Sequence, residues 1–453
     1  MMRFIFWGLL GTVVLSPVPF GSIYPWSYTL MAMIVGVLVL LWAVTLLIRG
    51  EAPAVPLSRI KWPAILFGAV IVWCLIQASP WTPEAWHNPI WQQTAKVLGT
   101  EVQGYISVDP YATNTVVMRL LTYAGIFWLA LQFGGDPVRA RQVFHAMAIA
   151  GLGYAAYGLA VEFTEAMKVL WYEKDFRYRE SLTSTFRYKN AYATYAGIGL
   201  LCTLALLVRA LGREDFAAMG PRETLHVVIT LVFGKIWYLV LGFAVIFSAL
   251  LLSNSRGGFL ATIAALLCFG GAMHFARRLN VPYGRVFVGA AVLAAVGFVA
   301  ASGGRIIDEL GYSAQAELRP EIFRITLEGI SEHPILGWGA GTFEGVFAKF
   351  QSDVFWTRTV RAHNEFLDNA LGMGIPATVA LNLAVALLGA LCVRGVIVRR
   401  RNTIYPATGT AAILLVALHS IVDFTLQVPA VAASLALVSG VACAQSWRSN
   451  GPS

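Results

Sequence analysis

Twelve stretches of this chain are apolar over about the 18 residues that a bilayer-crossing helix needs. They are residues 4–20, 27–48, 63–79, 114–133, 142–161, 190–208, 227–252, 257–276, 286–303, 366–393, 404–419 and 425–444. Between them lie short polar links and three long ones, roughly 80–113, 162–189 and 304–363. Links of that length are uncommon unless they carry function or are disordered. These contain aromatics, prolines and mixed charge rather than low-complexity sequence, so folded segments on the membrane surface are expected. The pattern predicts an all-α, polytopic membrane protein of about 12 transmembrane helices. Residues 1–303 form spans 1–9, a large helical outer loop covers 304–363, and 364–453 form spans 10–12. The first run meets Pro17, Pro19 and Trp26 with no small-residue cleavage site, so a retained span is expected.

Composition agrees with the pattern. Hydrophobic residues make up 58% of the 453, charged residues 13%, and mean hydropathy is +0.67, far from the globular average. The five cysteines (Cys74, Cys202, Cys268, Cys392, Cys443) lie inside apolar runs without CxxC or Cys/His spacing, so neither a disulfide framework nor a zinc site is readable.

A net charge of +9 suggests nucleic acid until its distribution is examined. With the N-terminus inside, the inner segments hold 17 basic residues, from Arg3 through Arg49, Arg59, Lys61, Arg139, Arg141 and Arg209 to Arg399 and Arg448, against five acidic ones. The rest of the chain carries 16 basic and 19 acidic residues. Basic loops resist translocation, so this asymmetry predicts that both termini are cytoplasmic. It also removes the reason to invoke nucleic acid.

The link 304–363 contains a predicted helix from Arg319-Pro320 to Glu332, with Pro320 in its first turn and His333-Pro334 stopping it. Ile322, Phe323, Thr326, Leu327 and Ile330 are its expected buried face. The three alternate glycines of Gly337-Trp338-Gly339-Ala340-Gly341 read as a turn, because no strand-helix context supports dinucleotide binding.

Candidate chemistry gathers at the outer ends of the spans. Ser253-Asn254-Ser255-Arg256-Gly257-Gly258 offers Arg256 either as a snorkelling headgroup anchor or as a bidentate phosphate ligand, with the two glycines letting a ligand approach the backbone. Arg361-Ala362-His363-Asn364-Glu365-Phe366-Leu367-Asp368 concentrates ionisable groups where burial is costly. His363 is there either a surface residue or a general base oriented by Glu365 and Asp368. In His419-Ser420-Ile421-Val422-Asp423-Phe424 the pair His419 and Asp423 has i, i+4 spacing, which suits a structural hydrogen bond as well as catalysis. Arg177, Arg179, Arg187 and Lys189 form a basic patch in which Arg187 lies nearest the membrane.

Together these motifs resemble the O-antigen ligase and polymerase family of bacterial envelope glycosyltransferases. The resemblance rests on Thr183-Ser184-Thr185-Phe186-Arg187-Tyr188-Lys189-Asn190, on Ser255-Arg256-Gly257-Gly258, on the Arg324 helix leading to His333-Pro334-Ile335-Leu336-Gly337-Trp338-Gly339, and on His363-Asn364-Glu365-Phe366-Leu367. It spans roughly residues 180–430 and implies a GT-C-like protein of the bacterial inner membrane with a periplasmic site. Such a protein transfers a glycan from undecaprenyl diphosphate to an acceptor sugar hydroxyl, with inversion and without a cofactor or metal. Arg256, Arg187, Arg319 and Arg324 would hold the diphosphate, His363 and Glu365 would be catalytic, and Asn364, Asp368, His419 and Asp423 would support them. The acceptor is another lipid-linked repeat unit for a polymerase or lipid A core for a ligase. The stretch from His419 to Ala430 looks more like a polymerase of O-antigen or exopolysaccharide repeats, for which a chain-length regulator or other envelope polysaccharide proteins are expected partners. A lipid-linked sugar transporter is the alternative from another class. It accords less well with charges gathered at the outer edge rather than at the bilayer midplane.

Overall fold

The computed structural model of the protein describes residues 1–174, 181–211, 219–276, 314–351, 355, 358–399 and 401–447. The expected span 286–303, residues 304–313, and Arg177 and Arg179 of the basic patch lie outside them. Every other expected span overlaps helical structure, nine with a single α-helix each and two with a broken one. Long apolar helices run over Pro25–Arg49 (α2), Lys61–Gln77 (α3), Pro110–Phe133 (α5), Pro137–Phe163 (α6), Lys189–Leu211 (α7), Arg256–Phe275 (α10) and Ile375–Val398 (α14). Shorter ones cover Met2–Leu15 (α1), Trp237–Leu252 (α9), Ile404–Ser420 (α15) and Pro429–Ala444 (α16). The chain is an all-α polytopic membrane protein.

Two expected spans are broken. Residues 227–252 divide into Pro221–Thr230 (α8), a π-helical turn over Leu231–Lys235 and α9. Exposed Gly234 and Lys235 sit in that turn, where the polar side chain interrupts the apolar run. Residues 366–393 divide into Glu365–Met373 (α13) and α14 at Gly374, whose φ of 80° and ψ of 160° end one helix, with Pro376 in the first turn of the next.

The core is built around α7, where every residue from Ala191 to Leu206 is buried. Its Ala, Gly, Thr and Cys side chains let α6, α9, α10 and α15 approach closely, the usual basis of helix association in lipid. All residues of α16 except Ala436 are buried as well, against α5 and α15.

At one end of the bundle the long links are folded. Residues 80–109 carry the short helix Ile90–Leu98 (α4), and residues 164–174 carry the hairpin Lys168–Val169 (β1) with Tyr172–Glu173 (β2). The third link holds Ala314–Glu332 (α11) and Phe343–Phe350 (α12), which with α13 enclose Ile322, Ile325, Ile330, Trp338, Phe343, Phe347 and Leu371. Helix α11 begins before the expected start, so Pro320 stands inside it and forfeits one helical hydrogen bond. Its buried face is Ile322, Ile325, Thr326, Gly329 and Ile330, while Leu327 is 54% exposed. The expected phase is thus wrong at Leu327 and Ile325. The glycine turn is real: Gly337, Gly339 and Gly341 have φ of 69°, 107° and 82°. The amide of Gly339 donates to Gly372 O at 2.8 Å, and that of Val108 donates to Trp338 O at 2.9 Å, joining the first link to the third.

Candidate active site

Four helix ends converge beneath the folded links. Helix α7 starts there with Lys189 and Asn190, α10 starts with Arg256, α15 ends at Ser420, and α13 starts at Glu365. Asn364 caps α13, its Oδ1 accepting from the amides of Phe366 (3.0 Å) and Leu367 (3.1 Å). Its Nδ2 donates to Ile421 O at 2.9 Å, which fastens α13 to the turn after α15. His363, just before the cap, takes a φ of 52°, a left-handed conformation that a non-glycine residue holds only when its surroundings impose it. Asp368 does so from one helical turn on. Its carboxylate accepts from Ala362 N at 3.3 Å and from Arg361 Nη1 at 3.4 Å.

His363 Nδ1 lies 3.8 Å from Asp423 Oδ1, an ion-pair separation beyond hydrogen-bond length. The nitrogen has no hydrogen-bond partner among the described residues. The ring meets Phe424 edge-on at 5.1 Å. Asp423 is 2% exposed and accepts from Phe424 N at 2.7 Å and from Asn190 Nδ2. Burial pushes its carboxyl up, yet the His363 and His419 imidazoles and the Phe424 amide together hold it below the usual range. It is therefore a carboxylate at neutral pH, suited to orient an imidazole and stabilise its protonated form.

The same network continues into the bundle. Asn190 Oδ1 accepts from Ser255 Oγ at 2.8 Å, and Ser255 caps α10 through Gly258 N. His419 is buried with Nδ1 2.7 Å from Thr194 Oγ1. A Cβ on Gly257 would lie 3.2 Å from His419 Cδ2 and 2.7 Å from a Val422 methyl, and one on Gly258 would lie 2.6 Å from Ala193 Cβ. The space over the two glycines is filled by protein. They serve helix packing and do not open the backbone to a ligand, as the sequence had suggested.

Glu365 is also buried. Its Oε1 accepts from Gln427 Nε2 at 2.7 Å, while Oε2 has no partner among the described residues. Burial and the neighbouring Asp368 push its carboxyl up to about 7, against the pull of Gln427, Arg361 and Arg119. Burial likewise raises Asp368 despite Arg361.

The expected arginines separate into two groups. Arg256 opens α10 beside this network, Arg319 is half-buried within electrostatic reach of His419, and Arg187 donates to Tyr24 OH at 3.5 Å. Arg324 differs. It is exposed, and its guanidinium is engaged by Glu321 (2.9 and 2.8 Å) and Glu328 (3.2 Å) of its own helix. The structure does not bring it to the other three. The sequence assigned no role to Thr194, Gln427 and Arg119, nor to Asn190 beyond its place at the end of the Thr183–Asn190 motif; all lie inside or beside apolar runs. Only Arg119, a charge within a span, carried a readable signal.

Residues 241–381 match a family model described as O-antigen ligase. The match contains Arg256, Arg319, His363, Asn364, Glu365 and Asp368, and leaves outside it Arg187, His419 and Asp423, which the fold returns to the same end. Comparison with curated proteins finds no match. Over the matched segment, less than half of its length, this multi-pass helical chain is similar to the O-antigen ligase family.

Proposed function

We propose that the protein transfers a glycan from undecaprenyl diphosphate to an acceptor sugar hydroxyl at the periplasmic face of the bacterial inner membrane, extending O-antigen or exopolysaccharide repeat units. The observation that carries this is the arrangement of His363 against the buried Asp423 carboxylate, beside the helix start that bears Arg256. In the reaction His363 takes the acceptor hydroxyl proton through Nε2, with Asp423 stabilising the resulting imidazolium. The acceptor oxygen attacks the anomeric carbon from the side opposite the diphosphate. The sugar–oxygen bond breaks, its electron pair passes to the diphosphate, and the configuration inverts. Arg256, Arg187 and Arg319 stabilise the negative charge that develops there. With guanidinium groups in that role the reaction requires no metal, and transfer should persist in EDTA.

His363→Ala should leave binding of the lipid-linked donor intact and lower transfer by about 10²- to 10⁴-fold, the usual contribution of a positioned base. A folded His363→Ala protein that transfers at the wild-type rate would remove His363 from the chemistry. Ligation to lipid A core is the second reading, favoured by the description of the matched family. Purified protein given lipid-linked repeats with and without lipid A core separates the two. Ladders formed without the core support polymerisation, and product formed only with it supports ligation.

A further inference from the structure

Arg119 lies nine residues into α5, inside a span, where a permanent charge is costly and marks function by default. Among the described residues two of its groups are committed. Nε donates to Tyr123 OH at 3.3 Å and Nη2 donates to the carbonyl of Gln427. A guanidinium carries five N–H donors, so others remain unspent on a half-buried side chain. Its face rests on the Tyr28 ring, 5.8 Å from the centroid. The nearest counter-charge on its path is Glu365, reached through Gln427 rather than directly. That carboxyl is pushed up to about 7, so near neutral pH it compensates Arg119 only part of the time.

The tyrosines supply the second observation. Arg187 donates to Tyr24, and Arg119 packs on Tyr28. The two tyrosines are one turn apart, the Tyr28 amide donating to the Tyr24 carbonyl at 3.2 Å. The start of α2 therefore carries contacts to two arginines from distant parts of the chain, Arg187 at Tyr24 and Arg119 at Tyr28. A diphosphate offers oxygens to more than one guanidinium, and bidentate guanidinium groups suit it.

We propose that Arg119 is a ligand of the donor's diphosphate, acting with Arg187 across the Tyr24–Tyr28 edge of α2. Its position within the span suits an anion drawn from the bilayer on a lipid. The assignment rests on the transfer reaction above and adds a residue to it. Arg119 takes the place in the cationic set that Arg324, engaged with Glu321 and Glu328, does not fill.

The test is binding of undecaprenyl diphosphate to the full-length protein in nanodiscs, in parallel with inorganic diphosphate and with added phosphatidylglycerol. Arg119→Gln should weaken undecaprenyl diphosphate by about 10- to 100-fold, the range of a charge-assisted hydrogen bond. Inorganic diphosphate should weaken in parallel, while phosphatidylglycerol and the KM for acceptor should be unchanged. Arg119→Lys keeps the charge and guards against a folding defect. It should bind several-fold more weakly than wild type and more tightly than Arg119→Gln. Folded Arg119 variants with wild-type affinity would overturn the proposal and leave the transfer reaction standing. Wild-type protein that ignores both diphosphates and binds phosphatidylglycerol through Arg119 would overturn both, leaving a headgroup anchor.

Discussion

A buried carboxyl with one bonded and one unbonded oxygen makes Glu365 the residue at which protonation matters most. Its carboxyl is raised from an ordinary 4.5 to about 7, so the folded protein holds this proton more tightly than the unfolded chain. The stability it contributes is complete below about pH 4.5 and is lost as pH rises through about 7, a swing of about 3 kcal/mol. Asp368 acts in the same direction, whereas Asp423 is lowered and contributes only above its unfolded value. Glu365→Gln should therefore flatten the fall in Tm between pH 5 and 8 in detergent or nanodiscs. An unchanged pH profile would show Glu365 ionised throughout. His363, Asp368, Arg256 and Asp423 were legible in the sequence because polar groups at the edge of an apolar run stand out. The bonding roles of Asn190 and Gln427 were not legible, because each is one polar side chain near a membrane boundary whose partner lies 233 or 62 residues away.

Helix packing explains what single residues do not. Gly258 sits where α7, α10 and α15 cross, and an added Cβ would come within 3.0 Å of His419 Cε1 as well as 2.6 Å of Ala193 Cβ. The latter contact involves a short, inflexible side chain, so relief requires a shift of a helix. Gly258→Ala should cost about 1–3 kcal/mol by overpacking and lower transfer by displacing His419. A variant with unchanged Tm and rate would mean that α10 moves freely. Asn364→Ala should cost about 1 kcal/mol through the lost cap of α13, and it also frees His363 from the turn that carries Asp423. Spans were readable because lipid demands long apolar runs. The phase of α11 was not, because Phe323 and Leu327 are as apolar as Ile325 and only the neighbouring α13 decides which side is covered. The break between α13 and α14 was signalled by Gly374 and Pro376, but hydropathy runs across it.

Over the whole molecule the site and a second group of basic residues, Arg59, Arg139, Arg209 and Arg399, occupy opposite ends of the bundle. Helix α7 begins at Asn190, which bonds Asp423 after the end of α15, and finishes at Arg209, whose Nη1 bonds Asn402 Oδ1 at 2.8 Å just before α15 begins. At that second end Arg59 lies 5.4 Å from the Trp447 ring centroid, Arg399 donates to Trp447 O at 2.9 Å, and Arg139 covers the rings of Phe6 and Phe133. Arginines held over aromatics and next to the spans resist translocation, which supports the proposed orientation with this end in the cytoplasm and the His363 end outside. The five native cysteines are buried or half-buried, so an added thiol is readable above them. Ser331→Cys, exposed on α11, should react in intact cells with a membrane-impermeant maleimide admitted through the outer membrane. Ser58→Cys, exposed beside Arg59, should react only after the inner membrane is opened. The reversed pattern would put His363 and the arginines on the cytoplasmic side, and the periplasmic assignment of the reaction would fall with the orientation.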